Sequence, residues 1–222
     1  MIPFKVDNPT YKVPFVTIGL IVANIIVFIW EMATPMEGEQ IALLYGAIPR
    51  NLITLRSAQI VSPLASVFTS MFLHGGFLHI GGNMLYLWIF GDNIEDELGH
   101  FRFLLFYLFS GVVAAYGNAL TDPQSMVPMI GASGAISGVL GAYILLFPRT
   151  RVHTLIFFGF FWQVVRIPAV LVIGFWFLIQ VFSGLLSAGT LQHGGIAWFA
   201  HIGGFLAGLL TIKFWLPKKN KI

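Results

Sequence analysis

Four polar side chains in otherwise apolar stretches are the residues of this chain best suited to chemistry. Ser133 opens a segment rich in small residues, and His201 lies in the last apolar segment. His79 and Asn83 stand four positions apart, which places them on one face of a helix. A serine becomes a nucleophile at neutral pH when a base takes its proton, and histidine is the usual base because its ordinary pKa is about 6.5. The set therefore predicts acyl transfer, with Ser133 as the nucleophile and His201 as the base.

A third catalytic member is not found among the nine carboxylates, which all fall in predicted loops, at the termini or at helix ends. The prediction is therefore a Ser/His dyad. Acyl transfer also needs donors where the oxyanion forms. The Asn83 amide, a ring N–H of His79 and the backbone N–H of Ser133 are the candidate donors. We predict no metal and no other cofactor; the chain has no His-Glu-x-x-His motif.

Small residues recur every four positions beside the serine and beside the histidine: Gly134, Gly138 and Ala142 in one segment, and Ala200, Gly204 and Gly208 in the other. Such faces let two helix backbones approach closely. Close approach would bring the Ser133 hydroxyl within hydrogen-bond reach of the His201 imidazole. Packing alone would account for the glycines, but it leaves the histidine unexplained.

The composition indicates a polytopic membrane protein. Hydrophobic residues make up 57% of the 222 residues and charged residues only 9%, whereas about 25% charged is usual in soluble domains. Ionisable side chains inside a membrane are functional candidates by default because their burial in lipid is unfavourable. The absence of cysteine excludes disulfides and thiolate metal sites.

Six apolar segments are long enough to approach the roughly 20 residues of a membrane span: residues 15–30, 72–90, 103–120, 131–147, 168–186 and 196–216. The predicted fold is an all-α bundle of six transmembrane helices. Residues 31–71 form a long first external loop, which we predict to contain short helices lying in the membrane surface because prolines interrupt it.

The basic residues predict the orientation. If six helices alternate, ten of the twelve lysines and arginines fall on one side, and the positive-inside rule makes that side cytoplasmic. We therefore predict a cytoplasmic segment at 1–14, the membrane domain at 15–216 and a basic cytoplasmic tail at 217–222, in a cell membrane. Because topology explains the net charge of +3, no nucleic-acid partner is predicted.

The second, fourth and sixth predicted helices enter from the outer side, so the four polar side chains share the outer half of the bilayer. The fourth segment has 17 residues, about 25 Å of helix against about 30 Å of hydrocarbon. Its start is therefore predicted to be recessed, leaving a wet hollow lined by residues 121–130. Residues 187–195, which are rich in glycine, could form a mobile cap.

The residues resemble the rhomboid family of intramembrane serine proteases. The resemblance rests on three motifs in chain order: His79-x-x-x-Asn83, Gly131-x-Ser133-Gly134 and Ala200-His201-x-x-Gly204. It implies a six-helix bundle with Ser133 as nucleophile and His201 as general base. It also implies an oxyanion site formed by Asn83, His79 and the Ser133 amide.

Other positions also bear on the resemblance. His74 matches a further histidine of the family, with a structural role implied. Glu95 resembles an acidic position of the cytoplasmic loop, where a solvated or helix-tethering role is implied rather than a chemical one. Many members carry a Trp-Arg pair in the first external loop where residues 55–63 stand here. Some place an aromatic one turn after the serine to brace the histidine, whereas this chain has Ser137. The bracing of His201 is therefore expected to come from elsewhere.

The predicted function is an endopeptidase that cuts membrane helices of other proteins near the outer face, with the lipid bilayer as its medium. Substrates would enter laterally past the fifth helix, which carries Phe175, Trp176, Phe177, Gln180 and Phe182. One alternative is a silent relative that binds or escorts membrane helices. A small transporter is disfavoured because the predicted spans lack a midplane carboxylate. The sequence leaves the oligomeric state open.

Overall fold

A computed structural model describes residues 1–159, 161–188 and 196–218 of the chain. Helices occupy all six predicted segments. In chain order the elements are β1 Ile2–Val6, α1 Phe15–Ala33, α2 Gly38–Tyr45, α3 Pro49–Thr54, α4 Pro63–Ser70, α5 Phe77–Leu98, α6 His100–Thr121, α7 Ser133–Leu146, β2 Arg151–Phe158, β3 Phe161–Pro168, α8 Ala169–Ala188 and α9 Trp198–Trp215.

Four of these helices, α1, α6, α8 and α9, are long and apolar enough to cross a membrane. The other two predicted spans differ from them in distinct ways. Helix α7 has 14 residues and is mostly buried, and α5 has 22 residues but ends in the acidic run Asp92 to Glu97. Six spans therefore remain a prediction.

Glycines set the limits of α5, which differ from those predicted. The helix begins at Phe77 rather than at position 72, because Gly76 adopts a φ of 150° that ends the preceding turn. It continues past position 90 to Leu98, where Gly99 has a φ of 76°. Helix α6 begins at the next residue, so the two helices are joined by a single glycine.

The all-α prediction is wrong in one region, because the described chain contains a three-stranded antiparallel sheet in the order β1-β2-β3. Val6 pairs with Val152, which pairs with Ile167. Val152 and Thr154 of β2 lie on the same face of the sheet, and both are fully buried. The segment is rich in β-branched and aromatic residues, which favour strands. A search for spans of about 20 apolar residues misses such short elements.

The two faces of small residues pack together, and α7 occupies the centre of the bundle against α9. A Cβ atom added at Gly204 would collide with the carbonyl oxygen of Gly134, and one at Gly208 with that of Gly138. Only glycine permits this approach of the two backbones. The contact fixes the height of α9 relative to α7, and with it the relative positions of their side chains.

Three short helices, α2 to α4, occupy the connection between α1 and α5. Gln59 pins the region of residues 55–63 after α3. Its Nε2 donates to the carbonyl oxygens of Leu43, at 2.8 Å, and Gly46, at 2.9 Å. Its Oε1 accepts a bond of 2.9 Å from Asn51. One amide side chain therefore joins the end of α2 to α3 and to the following loop.

The start of α1 is anchored by Glu95, which is 1% exposed near the end of α5. Its carboxylate accepts hydrogen bonds from the backbone N–H of Val16, at 2.9 Å, and from the N–H and hydroxyl of Thr17, both at 2.7 Å. His100 Nδ1 lies 2.6 Å from the same carboxylate. An anion satisfies the unpaired donors at a helix N-terminus and is favoured there by the helix dipole.

We expect Glu95→Gln to lower the melting temperature of the detergent-solubilised protein. An amide keeps one acceptor oxygen but places its own N–H donors next to the N–H groups of α1. We expect the free energy of unfolding to fall by about 1–3 kcal/mol as a result. Glu97→Gln is the matched control, since Glu97 lies at the exposed end of the same helix. Equal melting temperatures for the two variants would contradict the anchoring role of Glu95.

Candidate active site

Ser133 and His201 meet at the junction of α7 and α9. The serine is the first residue of α7, and the histidine lies in the first turns of α9. Ser133 Oγ is 2.8 Å from His201 Nε2. Ser137 Oγ, one turn further along α7, donates to the Ser133 carbonyl oxygen at 2.6 Å. The serine is thus held at its carbonyl by its own helix and at its hydroxyl by the imidazole.

The other ring nitrogen of His201 is bound by Gln180, a residue of α8. His201 Nδ1 lies 2.7 Å from Gln180 Oε1, and Gln180 Nε2 donates to the Trp176 carbonyl oxygen at 3.2 Å. A carbonyl only accepts, so this second bond fixes which end of the amide faces the histidine. His201 therefore carries its proton on Nδ1, and the lone pair of Nε2 points at the serine hydroxyl.

The sequence analysis missed this role of Gln180, which it grouped with the aromatic residues of the fifth helix. The signal was present, since Gln180 is the only side-chain amide in the apolar segment Ala169–Ala188. A buried polar side chain within a membrane helix needs a partner, and Gln180 is 5% exposed. A search limited to carboxylates does not find Gln180, whose amide oxygen can accept the same hydrogen bond from the imidazole.

Aromatic rings from two helices complete the surroundings of His201. The centroid of the Trp176 ring lies 6.0 Å from that of the imidazole, and the Trp198 ring lies edge-on at 6.2 Å. Phe177 on α8 stacks on Phe205 of α9 at 4.1 Å. The ring is therefore braced by α8 and by its own helix, rather than by position 137 of α7, which is a serine.

A chain of hydrogen bonds orients Asn83. His74 Nδ1 lies 3.2 Å from the Phe72 carbonyl oxygen, and Asn83 Nδ2 lies 2.9 Å from His74 Nε2. Because the carbonyl only accepts, His74 Nδ1 carries the proton and Nε2 accepts from the amide. One N–H of Asn83 is used in this bond and the other is left to donate. Glu31, in the last turn of α1, accepts from the His74 backbone N–H at 3.2 Å.

His79 is oriented in the same manner. Its Nδ1 accepts from the Gly75 backbone N–H at 3.2 Å, so Nε2 carries the proton. A Cβ atom on Gly131 would lie 2.6 Å from His79 Nε2 and 3.5 Å from Asn83 Nδ2. The two donors therefore flank Gly131, which has a φ of 117° and stands two residues before Ser133.

The dyad and the two candidate donors of α5 line a cavity of about 1220 Å³. Its walls include His79 and Asn83 from α5, Ser133 from α7, and Trp176 and His201 from α8 and α9. Such a volume exceeds a typical site for a small ligand, which is about 300–1,000 Å³.

The loop at residues 121–130 lines one side of the cavity. Met129 pairs with Ala47 through two backbone hydrogen bonds, of 3.0 and 2.8 Å. The loop is thereby joined to the connection between α1 and α5. The predicted cap at residues 187–195 lies outside the described part of the chain from position 189 onward, and the start of this segment belongs to α8.

Comparison with known proteins gives the family of this chain. A family model described as the Rhomboid domain matches residues 62–218, which is more than half of the chain. The chain belongs to the rhomboid family. Its helices and its family together make it an integral, multi-pass membrane protein.

Three relatives illustrate the extent of the similarity. Rhomboid protein 1, mitochondrial, of Saccharomyces cerevisiae is 31% identical over 155 residues, which cover 68% of this chain and 41% of that protein. Rhomboid protease GluP of Bacillus subtilis is 30% identical over 141 residues, with coverages of 64% and 25%. The putative rhomboid protease YdcA of Bacillus subtilis is 39% identical over 80 residues, with coverages of 36% and 40%. The match thus covers less than half of each of these relatives.

Proposed function

We propose that this rhomboid protein is an intramembrane serine endopeptidase that cleaves membrane helices of other proteins near the outer face. The observation that carries the proposal is the hydrogen bond of 2.8 Å between Ser133 Oγ and His201 Nε2 in a cavity between membrane helices. The relatives named as proteases support the same reaction class. The bilayer and the transmembrane substrates are then its partners.

In the proposed reaction, Ser133 Oγ attacks the scissile carbonyl carbon while His201 Nε2 takes the hydroxyl proton. The imidazolium that forms keeps its Nδ1–H on Gln180 Oε1, so the ring cannot rotate away during the transfer. The same Nε2–H then protonates the leaving amine as the peptide bond breaks. Water then enters and gives a proton to Nε2 as its oxygen attacks the acyl carbon. The bond between the acyl carbon and Ser133 Oγ breaks, Nε2–H returns its proton to Oγ, and the second product leaves as the carboxylic acid.

The negative charge on the substrate oxygen is proposed to be stabilised by three donors. The free N–H of Asn83 and the Nε2–H of His79 flank Gly131, and the backbone N–H of Ser133 lies at the N-terminus of α7. Donors that are already oriented are effective because they need no rearrangement as the charge develops. The His74 and Gly75 contacts supply this orientation.

The proposed topology is six spans with both termini in the cytoplasm, comprising the segment 1–14, the membrane domain 15–216 and the tail 217–222. The sheet supports one part of it, since β1 pairs with β2 in the connection between α7 and α8. The N-terminal basic residues and those of that connection therefore lie on one side of the protein. Ser133 stands at the opposite end of α7, toward the proposed outer face.

Substrates are proposed to enter between α5 and α8. Among the described residues, α5 packs on α1, α6 and α7, whereas α8 packs mainly on α7 and α9. Phe175 and Phe182 are 57% and 65% exposed and face away from the bundle. A helix with few neighbours is the one most readily displaced. The scissile segment must also leave its helical form, which favours substrates with residues that weaken a helix.

Ser133→Ala and His201→Ala are each expected to abolish cleavage of a single-span reporter by the purified protein, a loss on the order of 10⁶-fold in kcat. The controls are His153→Ala and Ser183→Ala, which remove an imidazole and a hydroxyl outside the proposed dyad. Both should leave the rate of cleavage unchanged. A fluorophosphonate probe should label the parent but neither dyad variant. Failure to label the parent, together with binding of the reporter, would favour the silent-binder alternative.

Asn83→Ala is expected to retain partial activity, with kcat lowered by roughly 10²–10³-fold. The variant loses one oxyanion donor but keeps His79 and the Ser133 amide. Asn118→Ala is the matched control, because Asn118 is another amide in the wall of the cavity. The measurement is kcat for reporter cleavage at saturating substrate. A value equal to that of the parent would remove Asn83 from the oxyanion assignment.

Gln180→Met keeps the length of the side chain but removes the acceptor for His201 Nδ1. We expect kcat to fall by roughly 10- to 100-fold with KM unchanged, because the imidazole loses its fixed tautomer. Gln180→Glu restores an acceptor and should recover most of the rate. Ile179→Met, at an exposed neighbouring position on α8, is the control. A parallel fall in kcat for the methionine and glutamate variants would indicate a merely structural role.

A further inference from the structure

The β2-β3 hairpin extends well beyond β1, the other strand of its sheet. The last pair between β1 and β2 joins Ile2 to Leu155, whereas the hairpin pairs continue to Phe157 with Trp162 and to Phe158 with Phe161. The outer half of the hairpin is therefore a two-stranded ribbon. Such a ribbon is only marginally stable in water without a surface to cover it.

The side chains of this free end are large and apolar. Phe157 is 55% exposed, Phe161 is 80% exposed and Trp162 is 68% exposed. Phe157 and Trp162 share one face because they form a cross-strand pair, and Phe161 lies on the other face. Both faces of the ribbon thus present aromatic surface, an arrangement that would favour aggregation in an aqueous environment.

The other end of the same ribbon carries three basic side chains and one carboxylate, that of Asp7, which contacts His153, so positive charge is in excess there. Lys5 and Arg166 both pair with His153, so the three share the face of Phe157 and Trp162. Arg151, two residues before His153, is on this face as well. Lys5, Arg151 and Arg166 are all exposed. Four residues of strand, about 13 Å, separate the His153 row from the Phe157 row.

We propose that the free end of this hairpin inserts into the interfacial region of the bilayer, on the side opposite Ser133, with the basic row at the level of anionic lipid headgroups. Lipid then covers the exposed aromatic side chains. The hairpin directly joins α7 to α8, so its base is already held at the end of membrane helices. Aromatic residues concentrate at membrane interfaces, and basic residues nearby are attracted to anionic headgroups.

The dimensions agree with such an insertion. Interfacial elements bury their apolar side by roughly 5–10 Å at the boundary between headgroups and acyl chains. A ribbon whose charged and aromatic rows are about 13 Å apart can place one row among the headgroups and the other below them. The ribbon would anchor the connection between α7 and α8 at a fixed depth, independently of the Ser/His site.

The full chain in vesicles allows a direct test, because it has no cysteine. A single cysteine from Phe161→Cys, labelled with the environment-sensitive dye NBD, is expected to emit at blue-shifted wavelength. Its emission should be quenched strongly by lipids with a doxyl group near the headgroup, and weakly by iodide on both sides of the membrane. Glu97→Cys is the control, an exposed site at the end of α5 that should respond to iodide only.

The vesicle composition tests the basic row. Adding phosphatidylglycerol to phosphatidylcholine vesicles should increase the blue shift of the dye at position 161, and the double variant Arg151→Gln and Arg166→Gln should lose this increase. Iodide quenching at 161 equal to that at 97 would overturn the proposal. Protection from both quenchers would also overturn it, since it would mean that protein, such as a second copy of the chain, covers the hairpin.

Discussion

The close approach of α7 and α9 is the contact on which the rest of the structure depends. Carbonyl oxygens of α7 lie where side chains of α9 would otherwise stand, and glycines at 204 and 208 make room for them. Since the serine and the histidine sit at neighbouring heights on these two helices, their separation is set by backbone contact rather than by flexible side chains. The same glycine pattern therefore determines both the packing of α7 on α9 and the contact between Ser133 and His201.

Two sets of polar side chains at the site satisfy one another in short chains that each end on a backbone carbonyl. Ser133 bonds to His201, then Gln180, then the Trp176 carbonyl oxygen. Asn83 bonds to His74 and the Phe72 carbonyl oxygen. A group buried away from water without a partner is unfavourable. Ending each chain on a carbonyl also fixes the position of every proton along it, without a buried charge.

Sequence reasoning found what depends on long periodic patterns: the six helical segments and the small-residue faces that set the α7–α9 contact. It missed the sheet, because strands of five to eight residues leave little signal beside helices three times as long. It also missed the partner of His201, because an amide among aromatic residues carries no motif. Such contacts arise from tertiary packing, which brings positions 180 and 201 of two different helices together.

Helix α8 has two roles in this molecule. It borders the proposed substrate entrance, and it carries Gln180, whose amide holds the imidazole of His201. An outward swing of α8 would draw Gln180 away from His201 and release the ring. The hydroxyl would then be poorly activated while the side of the bundle stands open, and fully activated only once the helix returns. In the proposed mechanism, this linkage would spare neighbouring lipids and passing helices from hydrolysis, because the serine would be activated only when α8 has closed around a seated polypeptide.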